Sequence, residues 1–299
     1  MNKLLIVGTV AFDSIETPFG KVDRILGGSG MFIGISSSVF NINNAIVSVV
    51  GSDFPEEYLT LLKTKKIDIS GIEIVKGGKT FFWKGLYHVN MNHRDTLNTE
   101  LNVLADFKPK VPNNYKNADI VLLGNLHPST QLSVLEQMNS KPKLVILDTM
   151  NYWMDNSLDE LINVISKVDL LCINDQEAEQ LTGESDLKIA AQKISDIGPK
   201  FLIIKKGEFG SLVFGEDDYY NCPIFPTEKV KDPTGAGDTF AGGLAGYLAS
   251  CSKISFDEVK NGVMYGTAIA SYCIEDFGPN NIMNLDINLI EKRVSKIKK

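Results

Sequence analysis

Lys143-Leu144-Val145-Ile146-Leu147-Asp148, then Ser157 to Lys167 (SLDELINVISK), then Asp169-Leu170-Leu171-Cys172-Ile173-Asn174 is the stretch that decides the fold. Its outer pieces are continuous apolar runs rather than alternating ones, as strands buried on both faces should be. The middle piece opens on a capping serine and carries helical periodicity. Strand, helix, strand in that order predicts a parallel sheet with helices laid over it.

The same pattern extends in both directions. Apolar runs recur at Leu4 to Gly8, Ala45 to Gly51, Asp119 to Gly124 and Phe201 to Gly207, with helical segments at Ser129 to Asn139 and Ser185 to Ile197. The expectation is an α/β fold: one doubly wound, mostly parallel sheet with helices on both faces, spanning residues 1–299 as a single domain. The later runs end in polar clusters: Asn125-Leu126-His127-Pro128, Asp148-Thr149-Met150-Asn151, Asn174-Asp175-Gln176-Glu177 and Lys205-Lys206-Gly207. Ligands of open α/β sheets lie beyond the carboxyl ends of the strands, so these clusters are expected to share one crevice. Two segments break the pattern, near 14–26 and 72–107. The second contains the aromatic-rich TFFWKGLYHVN, and both read as strands outside the main sheet.

Composition narrows the partners. A net charge of −7 over 299 residues argues against nucleic acid. Cys172, Cys222, Cys251 and Cys273 form no C-x-x-C pair, which fits reduced thiols in a cytoplasmic protein rather than zinc or disulfides. The apolar run after Met1 is too short for a signal peptide, and nothing approaches the roughly 20 apolar residues of a membrane span. A G-x-x-x-x-G-K-[ST] element is missing, as are protein-kinase motifs. The glycines at 27, 28 and 30 do not directly follow the first strand, which disfavours a dinucleotide fold.

The chemistry is concentrated in Asp232-Pro233-Thr234-Gly235-Ala236-Gly237-Asp238-Thr239-Phe240-Ala241-Gly242-Gly243, which opens an apolar helix running to Ser250. Gly235 and Gly237 leave N–H groups uncovered at a helix start, a favourable place for an anion. A carboxylate beside a bound phosphate needs a reason to be there. Asp238 finds one if it takes the proton of a hydroxyl as that oxygen attacks phosphorus, while the N–H groups stabilise the charge on the transferred group.

This string resembles the C-terminal signature of the ribokinase-like (PfkB) family of carbohydrate and nucleoside kinases. The resemblance implies ATP as phosphoryl donor, with Asp238 as catalytic base and Gly235, Ala236 and Gly237 as anion hole. Asn174 and Glu177 resemble the family's N-x-x-E motif, which implies a hydrated Mg2+ at Glu177 with Asn174 beside it. The alternative for that pair is a helix capping box, and the two roles are compatible. Lys206-Gly207 resembles the nucleotide-side loop, for which a plain hairpin turn is the competing reading. Asp13 and the Gly27-Gly28 pair resemble the substrate loop. His127 is expected to bond substrate in the same pocket. Ribokinases proper carry a lysine and an asparagine in the substrate loop where Ser29 and Phe32 stand here. The resemblance implies an ATP-dependent kinase that phosphorylates a hydroxyl of a sugar, and because an aromatic at 32 suits a ring, a nucleoside (adenosine-type) kinase is the alternative. The family also implies a lid built from the two odd segments, a possible homodimer through it, and in many members K+ beside the anion hole. A reading of a different class is a catalytically silent nucleotide or sugar sensor on the same fold.

Overall fold

The computed structural model describes residues 2–216 and 218–298. In chain order the elements run β1 (Lys3–Val7), β2 (Ala11–Thr17), β3 (Gly20–Gly27), α1 (Ser29–Ser38), β4 (Asn43–Gly51), α2 (Glu56–Thr64), β5 (Ile67–Val75), β6 (Phe82–Tyr87) and β7 (Arg94–Glu100). They continue with β8 (Ile120–Leu123), α3 (Pro128–Glu136), β9 (Leu144–Asp148), α4 (Asn151–Asn156), α5 (Leu158–Ile165), β10 (Leu170–Asn174), α6 (Asp175–Thr182), α7 (Leu187–Ser195) and β11 (Phe201–Lys205). The chain closes with β12 (Ser211–Gly215), β13 (Asp218–Cys222), α8 (Ala236–Ser250), α9 (Phe256–Cys273) and α10 (Ile287–Ile297).

Nine strands form the main sheet in the order β13-β12-β11-β10-β9-β8-β1-β4-β5. All pairs from β11 to β5 are parallel, and β12 and β13 add an antiparallel edge. The six apolar runs are six of these strands, and their period of two divides the core. Leu4, Ile6, Ile120, Leu122, Leu144 and Ile146 pack with α1, α8 and α9 on one face. Leu5, Val7, Val121, Leu123, Val145 and Leu147 pack with α5 and α7 on the other. The order leaves β1 first to β4 and later returns to β8 on the opposite side of β1, so the topological switch that creates a crevice lies there.

A second sheet, β3-β2-β6-β7, joins the two segments that broke the pattern. Its strands start at Ala11 and Phe82. Residues 72–75, grouped with the lid by sequence, are instead the end of β5, paired parallel to β4 in the main sheet. Among the described residues, no helix is long and apolar enough to cross a membrane.

Candidate active site

The start of α8 is set by close backbone packing. A Cβ at Gly242 would lie 2.6 Å from the Ile33 carbonyl of α1, and one at Gly243 would lie 2.9 Å from the Gly266 Cα of α9. Glycine therefore lets α8 wedge between both neighbours. Gly235 caps the helix with φ of 74°, and no side chain caps it. Ala236 N–H donates to the Pro233 carbonyl (3.1 Å), and the N–H groups of Gly235, Gly237 and Asp238, without a partner among the described residues, are left for a ligand. Phe32, only 1% exposed, lies directly under Gly235, where a Cβ would come 2.5 Å from its ring. The ring props the loop and has almost no surface to offer a substrate. Asp232 is fully buried, and its two oxygens accept the N–H groups of Thr234 (2.9 Å) and Gly278 (3.0 Å).

Strand parity brings the remaining charges to this helix. Leu144 and Ile146, Leu170 and Cys172, and Phe201 and Ile203 all pack in the same cluster as Phe240 and Leu244 of α8. A further step of two carries Asp148, Asn174 and Lys205 to that face at the carboxyl ends of β9, β10 and β11. Lys205 Nζ lies 2.9 Å from Asp148 Oδ1 in a mostly buried pair. A Cβ on Gly237 would meet only Lys205 Nζ within 4 Å, at 3.3 Å. Gly237 therefore faces open space bordered by an ammonium, the environment that a phosphoryl group requires. Sequence reading chose the neighbouring Lys206, which lies just past the strand and donates its backbone N–H to the Gly210 carbonyl in the β11–β12 hairpin.

Burial raises the Asp238 pKa, Asp148 and Asp13 reinforce the shift, and Lys205 and Arg94 oppose it. Glu177 is raised to about 7 by burial and Asp148, against Lys205, its Asn174 hydrogen bond and Arg94. Asp13 also rises to about 7, through burial and Asp232, against the Gly28 N–H and Arg94. For Lys205 burial acts downward, but Asp148, Cys172 and Glu177 outweigh it and hold the amine charged.

These shifts have a consequence for stability. A carboxylate whose folded pKa lies above its unfolded value binds more protons in the fold between the two values, so stability declines as pH rises through that window. For Asp13 the window runs from 3.8 to about 7. Asp13→Asn removes the titration. Its Tm relative to the unmodified protein should therefore climb from pH 5 to about pH 7 and level off above that in thermal melts without ligand, and a difference flat from pH 5 to pH 7 would contradict the burial of charge described here.

Asn174 and Glu177 do form a capping box: Asn174 Oδ1 accepts the Glu177 N–H (2.7 Å) and Glu177 Oε2 accepts the Asn174 N–H (2.8 Å). Glu177 Oε1 accepts no hydrogen bond from the described residues. One free carboxylate oxygen in an acidic recess fits a Mg2+ that keeps most of its waters. Among the described residues no group of three or more His, Cys, Asp or Glu could cage a bare ion. Asp13 lies against Gly27 and takes the Gly28 N–H, so the carboxylate and the Gly27-Gly28 pair are together. His127 makes its contacts with α3, α4 and α5. It caps α3 through Ser129, lies 3.6 Å from Glu160, and packs edge-on to Trp153 at 5.0 Å.

The small sheet covers the crevice from the other side. Tyr87, 5% exposed, packs with Ile15 and Phe277, and Thr234 Oγ1 donates to its hydroxyl at 3.3 Å. Arg94 pairs with Tyr87 across the β6–β7 hairpin. Its charge reaches Asp13, Glu177 and Asp238 together. At the hairpin tip, Asn92 Oδ1 lies 3.2 Å from where a Cβ of Gly207 would be, so the tip touches the loop after β11. The sequence places Asp148 and Lys205 in clusters expected at the crevice but assigns neither a role there, and it does not mark Arg94. Parity counted from the apolar residues of β9 and β11 could have found the first two, whereas no local signal marks Arg94.

The chain and its fold have known counterparts. The model of the pfkB family carbohydrate kinases matches residues 1–286. A cytidine kinase of Thermococcus kodakarensis is 30% identical over 272 residues, covering 87% of this chain and 95% of that protein. The Burkholderia thailandensis nucleoside kinase in complex with inosine superposes with a TM-score of 0.82 at 18% identity, covering 98% of each chain. The aminoimidazole riboside kinase of Salmonella enterica, complexed with aminoimidazole riboside and an ATP analogue, gives 0.77 at 16% identity, covering 98% of this chain and all of the other.

Proposed function

We propose, from the premise that this chain belongs to the pfkB family of carbohydrate kinases, that it transfers the γ-phosphoryl group of ATP to a sugar hydroxyl of a nucleoside. That it is a phosphotransferase with an alcohol acceptor follows from the family. The nucleoside is our reading, and the cytidine kinase relative, similar along nearly its whole length, supports it. Asp238, the only carboxylate in the first turn of α8, carries the reading because it stands where first-turn N–H groups have no capping side chain.

In this assignment Asp13 and the Gly27-Gly28 turn hold the acceptor's hydroxyls, and Asp238 takes the proton of the attacking one. Gly235, Ala236 and Gly237 surround the moving phosphoryl group, with Lys205 and Arg94 balancing its charge from the sheet and the lid. Lys206 and Gly207 border the nucleotide. Glu177, with Asn174 beside it, holds Mg2+ through water, and the ion supplies charge neutralisation at the phosphates. A monovalent cation beside the loop would draw on main-chain carbonyls, since both Asp232 oxygens already accept N–H groups. Phe32 serves as the prop beneath Gly235. His127 is retained only as a residue at the rim of the crevice.

The test is a turnover panel with MgATP and cytidine, uridine, adenosine, inosine, ribose and fructose 6-phosphate. Phosphorylation of at least one nucleoside, at a kcat/KM above that of ribose, is expected. Turnover of the free sugars alone would shift the assignment to a sugar kinase, and turnover of nothing would favour the silent sensor. We also extend the proposal to a homodimer through the lid, because every residue of the outer strand β7 is exposed and Leu97 is 51% exposed. Sedimentation equilibrium should find twice the chain mass, which Leu97→Lys should halve.

A further inference from the structure

The contacts between lid and main domain do not fall on neutral surface. Besides the Asn92 contact with Gly207, two side-chain hydrogen bonds join the lid to the loop that holds the first turn of α8. Thr17 of β2 donates its hydroxyl to the Lys231 carbonyl at 3.0 Å. Tyr87 of β6 takes the Thr234 hydroxyl at 3.3 Å. The apolar seat of Tyr87, made by Ile15 and Phe277, adjoins Gly278, whose N–H is held by Asp232. Asp232 in turn holds the Thr234 N–H. Both routes from the lid therefore meet at residues 231–234, immediately ahead of Gly235.

We propose that Tyr87 is a positioning residue that couples lid closure to the shape of the phosphoryl-holding loop: only when its ring seats between Ile15 and Phe277 does its hydroxyl anchor Thr234 and align the Gly235–Gly237 N–H groups. The inference rests on the kinase reading above. Its physical logic is economy of water exclusion. A loop completed by the closed lid has its full electrostatic strength only when solvent has been displaced, so ATP is not spent on water. The geometry makes closure and loop order one event, because the hydroxyl that reports closure is bonded to the residue that precedes the helix cap.

Tyr87→Phe keeps the buried ring and removes the hydroxyl, and Thr234→Val removes its partner at nearly constant volume. With MgATP and the panel nucleoside that turns over fastest, each variant should lose about 3- to 10-fold in kcat, the range of one hydrogen bond. The KM for the nucleoside should stay within about twofold, because Asp13 and Gly27-Gly28 are untouched. The double variant should be no slower than the slower single, since both remove the same bond. Losses that multiply, or a Tyr87→Phe enzyme at the unmodified rate, would overturn the coupling. Failure of the kinase reading would look different: Asp238→Asn would keep its turnover, or the panel would show none. Unchanged thermal melts of both single variants separate a positioning loss from a folding loss.

Discussion

Asp238→Asn should lower kcat by about 10²-fold or more with the nucleoside KM little changed, the usual size of a general-base contribution. The substitution keeps shape and volume at the first turn of α8 and removes only the ability to accept a proton. Because burial raises the Asp238 pKa against the pull of Lys205 and Arg94, the carboxylate is already a stronger base than an exposed aspartate. Removing its charge also relieves repulsion from Asp148 and Asp13, so the variant should melt at or above the temperature of the unmodified protein near pH 8. Lost activity with retained stability is the signature expected of a group placed for chemistry. Equal turnover would show that the proton leaves by another route.

Gly237→Val should be nearly as damaging, with a loss of about 10²- to 10³-fold in kcat, the range seen when an anion-hole donor is removed. The reason is specific to its surroundings. Outside its own helix, a Cβ on Gly237 would meet only the flexible tip of Lys205, at 3.3 Å, so a side chain can enter there once the ammonium shifts by a few tenths of an ångström. It would then fill the volume assigned to the phosphoryl group and pack against Lys205. Steady-state kinetics beside a thermal melt distinguish this from Gly235→Val. That substitution forces a β-branched residue to φ of 74° against Phe32 and should fail mainly by unfolding. A Gly237→Val enzyme with normal kinetics would mean that the phosphate lies elsewhere.

The six apolar runs were legible as parallel strands because each is buried on both faces, and that demands unbroken hydrophobicity. β5 was not, because IDISGIEIV is an edge strand with half-exposed, charged and glycine positions that carry no continuous run. The helix from Ala236 to Ser250 was readable because small and apolar residues persist from the Gly235 cap to Ser250. Asp13, Gly27-Gly28, Asn174-Glu177 and Asp238 were found because each sits in a short string with its own shape. Lys205, though part of a cluster expected at the crevice, gave way to Lys206 because two adjacent lysines differ only in strand parity, which the packing of Phe201 and Ile203 resolves. Phe32 was read as a pocket residue from its place in the loop, and only the packing of α1 against α8 shows its ring turned under Gly235. Tyr87, and with it its strand partner Arg94, gains its meaning from the bond between Tyr87 and Thr234, 147 residues away in sequence, a contact that no local pattern encodes.

The central claim is that the Asp238 carboxylate takes the proton in the transfer step. The pH dependence of kcat/KM for the nucleoside, with saturating MgATP, tests it most directly when run on the unmodified enzyme and on Asp238→Asn. A base must be ionised to act, and Asp238 ionises above the 3.8 of an ordinary aspartate, so the unmodified rate should rise with pH along an acid limb displaced toward neutrality. The residual rate of the variant should lack that limb. An unaltered limb in Asp238→Asn would assign the proton acceptor to another group.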